Sequence, residues 1–62
     1  MGNRFISINL NNGDFAGEIS IYNLQYLLSE GYLKKESYPE GDIYIVKREQ
    51  DLDYLRKFYF ID

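Results

Sequence analysis

The chain has 62 residues, a net charge of −3 at pH 7 and neither histidine nor cysteine, whereas it contains seven tyrosines and four phenylalanines. The missing side chains are the usual near-neutral proton carrier, the usual thiol nucleophile and the commonest ligands of transition metals. We therefore expect no enzymatic activity, no metal and no cofactor. A domain of this size hides only about 60% of its unfolded surface, so large aromatic side chains or a second copy have to stabilise it.

Hydropathy and charge limit the cellular locations and the partners that we expect for this chain. No stretch approaches the roughly 20 apolar residues of a membrane-spanning helix, and residues 1–4 do not open a secretory leader. We expect a cytoplasmic protein without a membrane partner. Acidic and basic residues are interspersed along the chain, so no segment carries the basic excess that neutralises phosphates. Nucleic acid is therefore an unfavoured partner.

The first predicted element is a β-hairpin. Polar and apolar residues alternate between Arg4 and Leu10, which is the period of a half-buried strand. Asn12 and Gly13 follow, and both tolerate the positive φ of a type I′ turn. The resulting register would place every large apolar side chain on one face of the hairpin. Its opposing pairs would be Leu10 with Phe15, Ile8 with Gly17, and Ile6 with Ile19.

A helix is predicted after this hairpin. Ser20 is a favourable N-cap residue, and apolar residues then recur at helical spacing. This stripe consists of Ile21, Leu24, Leu27 and Leu28. Gly31 would end the helix in the left-handed conformation, and Tyr32 would pack back onto Leu27 in a Schellman motif. Because a helix of about three turns is not stable alone in water, the leucines must pack on the sheet.

Residues 32–48 predict a second hairpin. Pro39 suits the first position of its turn, and Gly41 suits a left-handed position. The strand after the turn, residues 43–46, is strongly apolar, whereas residues 33–37 are mostly polar. A polar strand suits the edge of a sheet, where it resists pairing with another chain.

The last predicted element begins at Glu49. Its apolar residues share one helical face, and its acidic residues precede its basic ones, as the helix dipole favours. The apolar face comprises Leu52, Leu55, Phe58 and Tyr59. Residues 57–61 fit a helix or a strand equally well, because four large apolar residues follow one another there. The sequence thus predicts one α+β domain over residues 1–62: a two-layer ββαββα fold of antiparallel hairpins with the helices packed on one face.

Part of the chain resembles the second half of winged-helix DNA-binding domains. Residues 27–35, 39–46 and 53–55 carry the resemblance, with a helix that ends at Gly31, a two-stranded wing and a closing helix. The resemblance covers about half of the chain. It implies a nucleic-acid-binding regulator that uses the 32–48 hairpin, as the alternative function. The cations that would contact phosphates are Lys34, Lys35, Lys47 and Arg48.

The tyrosines favour a different function. Seven hydroxyls are more than a core of this size can enclose and satisfy, and aromatic residues are enriched at protein interfaces. We therefore expect a non-enzymatic protein–protein interaction module: a small regulator or inhibitor of a larger protein, with homodimerisation as a further expectation. Accessory proteins of phages and mobile elements are often of this size and type. The predicted contact residues are Tyr38, Tyr44, Tyr54 and Tyr59.

A third hypothesis is a small hydrolase that uses a pair of carboxylates. Glu49 and Asp53 are four residues apart and share a helix face. Carboxylates at the exposed start of a helix ordinarily interact with the helix dipole alone. A catalytic role would require a concave pocket around both side chains.

Overall fold

The computed structural model describes residues 4–61 of the chain. Four strands and two helices form an α+β fold, which confirms the predicted class. The strands are β1 (Phe5–Asn9), β2 (Phe15–Ser20), β3 (Leu33–Tyr38) and β4 (Gly41–Val46). The helices are α1 (Ile21–Ser29) and α2 (Leu52–Phe58), and a short 3₁₀ turn, Glu49–Asp51, precedes α2.

The four strands form one mixed sheet in the order β2-β1-β4-β3. Each hairpin is antiparallel, and β1 and β4 join the two hairpins as a parallel pair. Ile8 lies opposite Tyr44 and Asn9 opposite Ile45 in that pair. The apolar β4 is therefore central and the polar β3 is an edge strand, as the composition of the second hairpin predicts.

The turn of the first hairpin differs from the prediction. The carbonyl of Leu10 accepts from the N–H of Gly13 at 2.9 Å, and the N–H of Leu10 donates to the carbonyl of Asp14 at 2.7 Å. Among residues 4–61, positive φ is confined to glycines, including Gly13 at 94°. The predicted type I′ turn is therefore wrong, and a three-residue turn with a left-handed glycine takes its place. The side chain of Asn12 accepts from the N–H of Asp14 at 2.9 Å, which stabilises this alternative locally.

An irregularity in β2 shifts the register near this turn. Ile6 pairs with Ile19 and Ile8 with Gly17, as predicted, but Phe15 lies opposite Asn9. Ala16 is the extra residue, so the strand carries a bulge. Because opposing residues share a face, Phe15 lies with Asn9 on the other side of the sheet from Ile8. The prediction that every large apolar residue of this hairpin shares one face is wrong for Phe15, which is 64% exposed.

The core lies between one face of the sheet and both helices. Its buried residues come from four parts of the chain: two from the first hairpin, two from α1, two from the second hairpin and one from α2. They are Ile8, Ile19, Leu24, Leu27, Leu33, Val46 and Leu55. The predicted packing of both helices on one sheet face is confirmed.

Local signals define both ends of α1. The Ser20 hydroxyl accepts from the N–H of Tyr22 at 3.2 Å, so the predicted N-cap is confirmed. Gly31 has a φ of 85°. Its N–H donates to the Leu28 carbonyl at 3.2 Å, and the N–H of Tyr32 donates to the Leu27 carbonyl at 3.0 Å. These are the two hydrogen bonds of a Schellman motif.

The C-terminal segment combines a helix with a short extended contact. Helix α2 ends at Phe58, and Ile61 then forms an isolated antiparallel bridge with Glu18 of β2. Phe60 packs against the core and its ring lies over Gly17. Phe58, which belongs to the predicted apolar face of this helix, is 61% exposed. The chain leaves the helix after Phe58, which allows Phe60 to fill the core position instead.

Candidate interaction surfaces

Five aromatic side chains form one cluster around Tyr54. The ring centre of Tyr54 lies 5.4 Å from that of Tyr32, 5.1 Å from Phe58 and 5.9 Å from Tyr59. Tyr26 of α1 joins the group through Tyr59, at 6.3 Å. We call these five residues the tyrosine cluster. Tyr32 and Tyr59 also contact the buried core, so the cluster covers the core on the helical side of the molecule.

Two phenols of the tyrosine cluster have raised pKa values. Burial raises the pKa of Tyr32, and its neighbour Tyr54 raises it further. A hydrogen bond with the Tyr54 side chain, together with burial, raises the pKa of Tyr59. Because both pKa values lie above the ordinary value of about 10, both phenols are neutral at physiological pH.

A second candidate surface is the sheet face that points away from the helices. We call it the open sheet face, and alternation along each strand assigns its residues. It carries both apolar and polar side chains: Phe5, Ser7 and Asn9 of β1, Phe15, Glu18 and Ser20 of β2, Lys34, Glu36 and Tyr38 of β3, and Gly41, Ile43 and Ile45 of β4. Within residues 4–61, neither helix packs on this face, because the core residues of both helices contact its opposite side.

Ile45 is the apolar centre of the open sheet face. It lies opposite Asn9 on one side and Lys34 on the other. Ile45 is only 5% exposed although it does not belong to the core under the helices. Three aromatic side chains of this face are exposed: Phe15 is 64% exposed, Tyr38 51% and Phe5 45%. Exposed apolar side chains on an uncovered face are candidates for a binding site.

Hydrogen bonding orients Tyr38 at one corner of the open sheet face. Its hydroxyl donates to Oε1 of Glu36 at 2.9 Å, and this bond raises the pKa of Tyr38. Oε2 of Glu36 also lies 3.8 Å from Nζ of Lys34. The three side chains alternate along β3 on the same face, so the ring of Tyr38 has a defined position.

The four tyrosines predicted to contact a partner do not share one surface. Tyr54 and Tyr59 lie together in the tyrosine cluster, whereas Tyr38 lies on the open sheet face. Tyr44 lies on the helical side of β4, half-buried against the core. Contact of these tyrosines with another protein stays a prediction.

Sequence reasoning missed Phe5 and Phe15. Phe5 lies on the polar side of the alternating pattern in β1, and the bulge at Ala16 moves Phe15 to that same side. The alternation itself was a usable signal for Phe5, because it separates that ring from Ile6 and Ile8. No comparable local signal marks the bulge.

The candidate phosphate-binding cations are also dispersed. Lys34 and Lys35 are neighbours on a strand and so point to opposite faces of the sheet. Nζ of Lys34 lies 3.8 Å from a Glu36 carboxylate oxygen, and Nε of Arg48 lies 3.0 Å from Oδ2 of Asp51. Lys47 is exposed after β4. These positions do not form a single basic surface, and nucleic-acid binding stays a hypothesis.

Two surface cavities are small. One, of about 120 Å³, is lined by Leu10, Asn11, Asn12, Val46 and Glu49. Asp53 is not among its lining residues, so this cavity does not enclose the pair required for a hydrolase. The other, of about 190 Å³, lies at the tip of the second hairpin. Both are smaller than the roughly 300 Å³ at which pockets for small molecules begin.

Neither a metal cluster nor a membrane helix is found in the described part of the chain. Residues 4–61 contain no group of three or more acidic, histidine or cysteine side chains placed to hold a metal ion. No helix in the same range has the length and apolar character needed to cross a membrane. A scan against models of protein families, a search of curated proteins and a search of solved structures each found no match.

Proposed function

We propose that this chain is a cytoplasmic, non-enzymatic protein–protein interaction module, a small regulator or inhibitor that binds a larger protein through the open sheet face. The observation that carries the proposal is the position of Phe15. This ring is 64% exposed on a sheet face that neither helix of residues 4–61 covers. Phe5 and Tyr38 are exposed on the same face, in β1 and β3, which lie on either side of β4.

Burial of these rings would supply binding free energy. A phenylalanine or tyrosine side chain buries about 150–250 Å² when it is fully enclosed. At about 25 cal/mol per Å², enclosing the exposed half of one ring is worth about 2–3 kcal/mol. Ile45, at the centre of the face, is already almost excluded from water, so covering it on binding changes its free energy little. Three such rings are sufficient anchors for a specific contact, which usually depends on a few residues.

The tyrosine cluster is a weaker candidate for the contact surface. Its rings lie 5.1–6.3 Å from one another, so they already cover part of each other's surface. Stacked rings over a core explain the cluster as part of the fold. The open sheet face has no such structural explanation.

Site-specific photocrosslinking tests the proposal. A benzophenone amino acid is placed at Phe15 and, as a matched control, at Tyr22, which is 82% exposed on α1. Expressed in the native host, the Phe15 variant should crosslink to a defined larger protein that the Tyr22 variant does not capture. Absence of a product at Phe15, or the same products at both positions, would refute the proposal. A product made only of two copies of the chain would refute the larger partner and indicate a homodimer.

A further inference from the structure

We propose that the cavity at the tip of the β3–β4 hairpin binds an arginine side chain of the partner protein. We call it the tip cavity. Its lining residues are Tyr38, Glu40, Gly41, Asp42 and Ile43. This inference rests on the proposed function and specifies the chemistry of the partner at one point of the contact.

The size of the tip cavity suits one side chain. Its volume of about 190 Å³ is below the roughly 300 Å³ of the smallest ordinary ligand pockets. Gly41 lies directly opposite Tyr38 in the hairpin. A Cβ at Gly41 would meet no atom within 4 Å, so the space beside the tyrosine ring is open. A guest chain can therefore lie flat along that ring.

The walls of the tip cavity combine an aromatic face with negative charge. Tyr38 is held in place through its hydrogen bond to Glu36, and Ile43 adds an apolar surface. Glu40 is exposed in the turn between the strands. Asp42 is exposed too, although alternation along β4 places its side chain on the face opposite to that of Tyr38. Residues 36–46 contain three carboxylates and no basic residue. The charge that complements this site is positive.

Arginine fits these walls better than lysine. Its guanidinium group is planar, is more weakly hydrated than an ammonium group and stacks on aromatic faces. It can therefore lie on the Tyr38 ring and still reach the carboxylate of Glu40 in the turn. Tyr38 and Ile43 belong to the open sheet face as well, so a partner seated on that face reaches the tip cavity without a gap.

Nuclear magnetic resonance measures this binding without knowledge of the partner. The ¹⁵N-labelled full chain is titrated with N-acetyl-arginine amide, N-acetyl-lysine amide and N-acetyl-citrulline amide, the last being the neutral isostere of arginine. We expect saturable shifts with millimolar affinity for the arginine probe, centred on the amides of residues 38–43. The lysine probe should bind more weakly, the citrulline probe should give no saturable shift, and added salt should weaken the arginine response.

Matched variants locate the site. Tyr38→Leu should weaken arginine binding by about two- to fivefold, the range of an exposed cation–aromatic contact. Glu40→Gln should weaken it by about one and a half- to fivefold, as for an exposed ion pair. Tyr38→Phe keeps the ring and should retain most of the affinity. Glu30→Gln removes an exposed carboxylate at the end of α1 and should change nothing.

The outcomes separate this inference from the proposed function. Equal binding of arginine and citrulline, shifts spread over the whole surface, or an equal loss in Glu30→Gln and Glu40→Gln would overturn the arginine site. A specific crosslink at Phe15 with no arginine response would leave the proposed function intact and overturn only this inference. An arginine response with no crosslink at Phe15 would support the tip cavity and refute binding through the open sheet face.

Discussion

Replacement of Gly17 by alanine should force the C-terminal segment out of place. Gly17 lies in β2 opposite Ile8, beneath the ring of Phe60. A Cβ atom at this position would lie 2.6 Å from Cδ2 of Phe60 and 2.9 Å from Cγ. Contacts this short do not occur, so the ring must move or the strand must bend. The ring is itself constrained, because the N–H of Ile61 donates to the Glu18 carbonyl at 2.8 Å.

Overpacking of a core by one methyl group typically costs about 1–3 kcal/mol. Alanine is favoured over glycine within a strand by about 0.5–1 kcal/mol, which offsets part of this cost. We therefore expect Gly17→Ala to lower the free energy of unfolding by about 1–2 kcal/mol. A chain of 62 residues has a total stability of roughly 3–9 kcal/mol, so the loss is measurable and need not unfold the protein.

Urea unfolding followed by circular dichroism provides the assay. With a denaturant dependence of about 1 kcal/mol per M, the midpoint should fall by roughly 1–2 M. A double-mutant cycle supplies the control, because Phe60→Ala removes the three ring atoms that would lie nearest to the new Cβ. In that background Gly17→Ala should be neutral or slightly stabilising. Equal destabilisation in both backgrounds, or none in the wild type, would refute the close packing of Phe60 on Gly17.

Two further predictions concern the open sheet face and the tyrosine cluster. Phe15→Ser should change the free energy of unfolding by less than about 0.5 kcal/mol, as at other exposed sites. Ile45→Ala should lower it by about 2–4 kcal/mol in urea unfolding, because Ile45 is only 5% exposed. A larger loss in Phe15→Ser than in Ile45→Ala would contradict the bulge in β2. The pKa values of Tyr32 and Tyr59 are raised in the folded protein, so the unfolded chain loses these protons first and the free energy of unfolding should fall as the pH rises above about 10. Thermal unfolding between pH 9 and 11.5 measures this fall. Tyr54→Phe should reduce it, since the interaction with the Tyr54 side chain is the largest cause of the raised pKa of Tyr59. An unchanged pH dependence in this variant would mean that the hydroxyls of Tyr54 and Tyr59 do not interact.

The sequence predicted those features that depend on residues close together in the chain. Ser20 needs only the N–H of Tyr22 to cap α1, and Gly31 needs only two carbonyls of the preceding turn. The helical spacing of Leu24 and Leu27 and the polar character of β3 likewise identified a buried face and an edge. Each of these signals is complete within about ten residues, so no knowledge of the fold was required.

Features that depend on distant partners were not predicted. The parallel pairing of β1 with β4 joins segments more than thirty residues apart, and nothing in either strand specifies the other. The packing of Phe60 on Gly17 is of the same kind. Such contacts follow from how whole elements meet, and short apolar segments are compatible with several arrangements.

The structure groups only two of the four predicted contact tyrosines, for the same reason. Tyr54 and Tyr59 lie on one helical segment, which brings them together through local geometry. Tyr38 and Tyr44 belong to the two strands of one hairpin, and their relative orientation depends on its register. Tyr38 pairs with Gly41, three residues before Tyr44, so alternation places the two rings on opposite faces of the sheet. If the prediction had placed Pro39 and Glu40 alone in the turn, the sequence would have assigned Tyr38 and Tyr44 to opposite faces.

The bulge at Ala16 connects the fold to the proposed function. Without this extra residue the pairing of Ile6 with Ile19 and Ile8 with Gly17 would continue to Leu10 with Phe15, on the side of the core. Enclosing one phenylalanine is worth about 1.5–3 kcal/mol, a large share of the stability of so small a domain. The bulge instead places the ring on the open sheet face. Bulges commonly redirect a side chain at functional sites, and an interface that buries Phe15 would recover in the complex the free energy that the isolated chain forgoes.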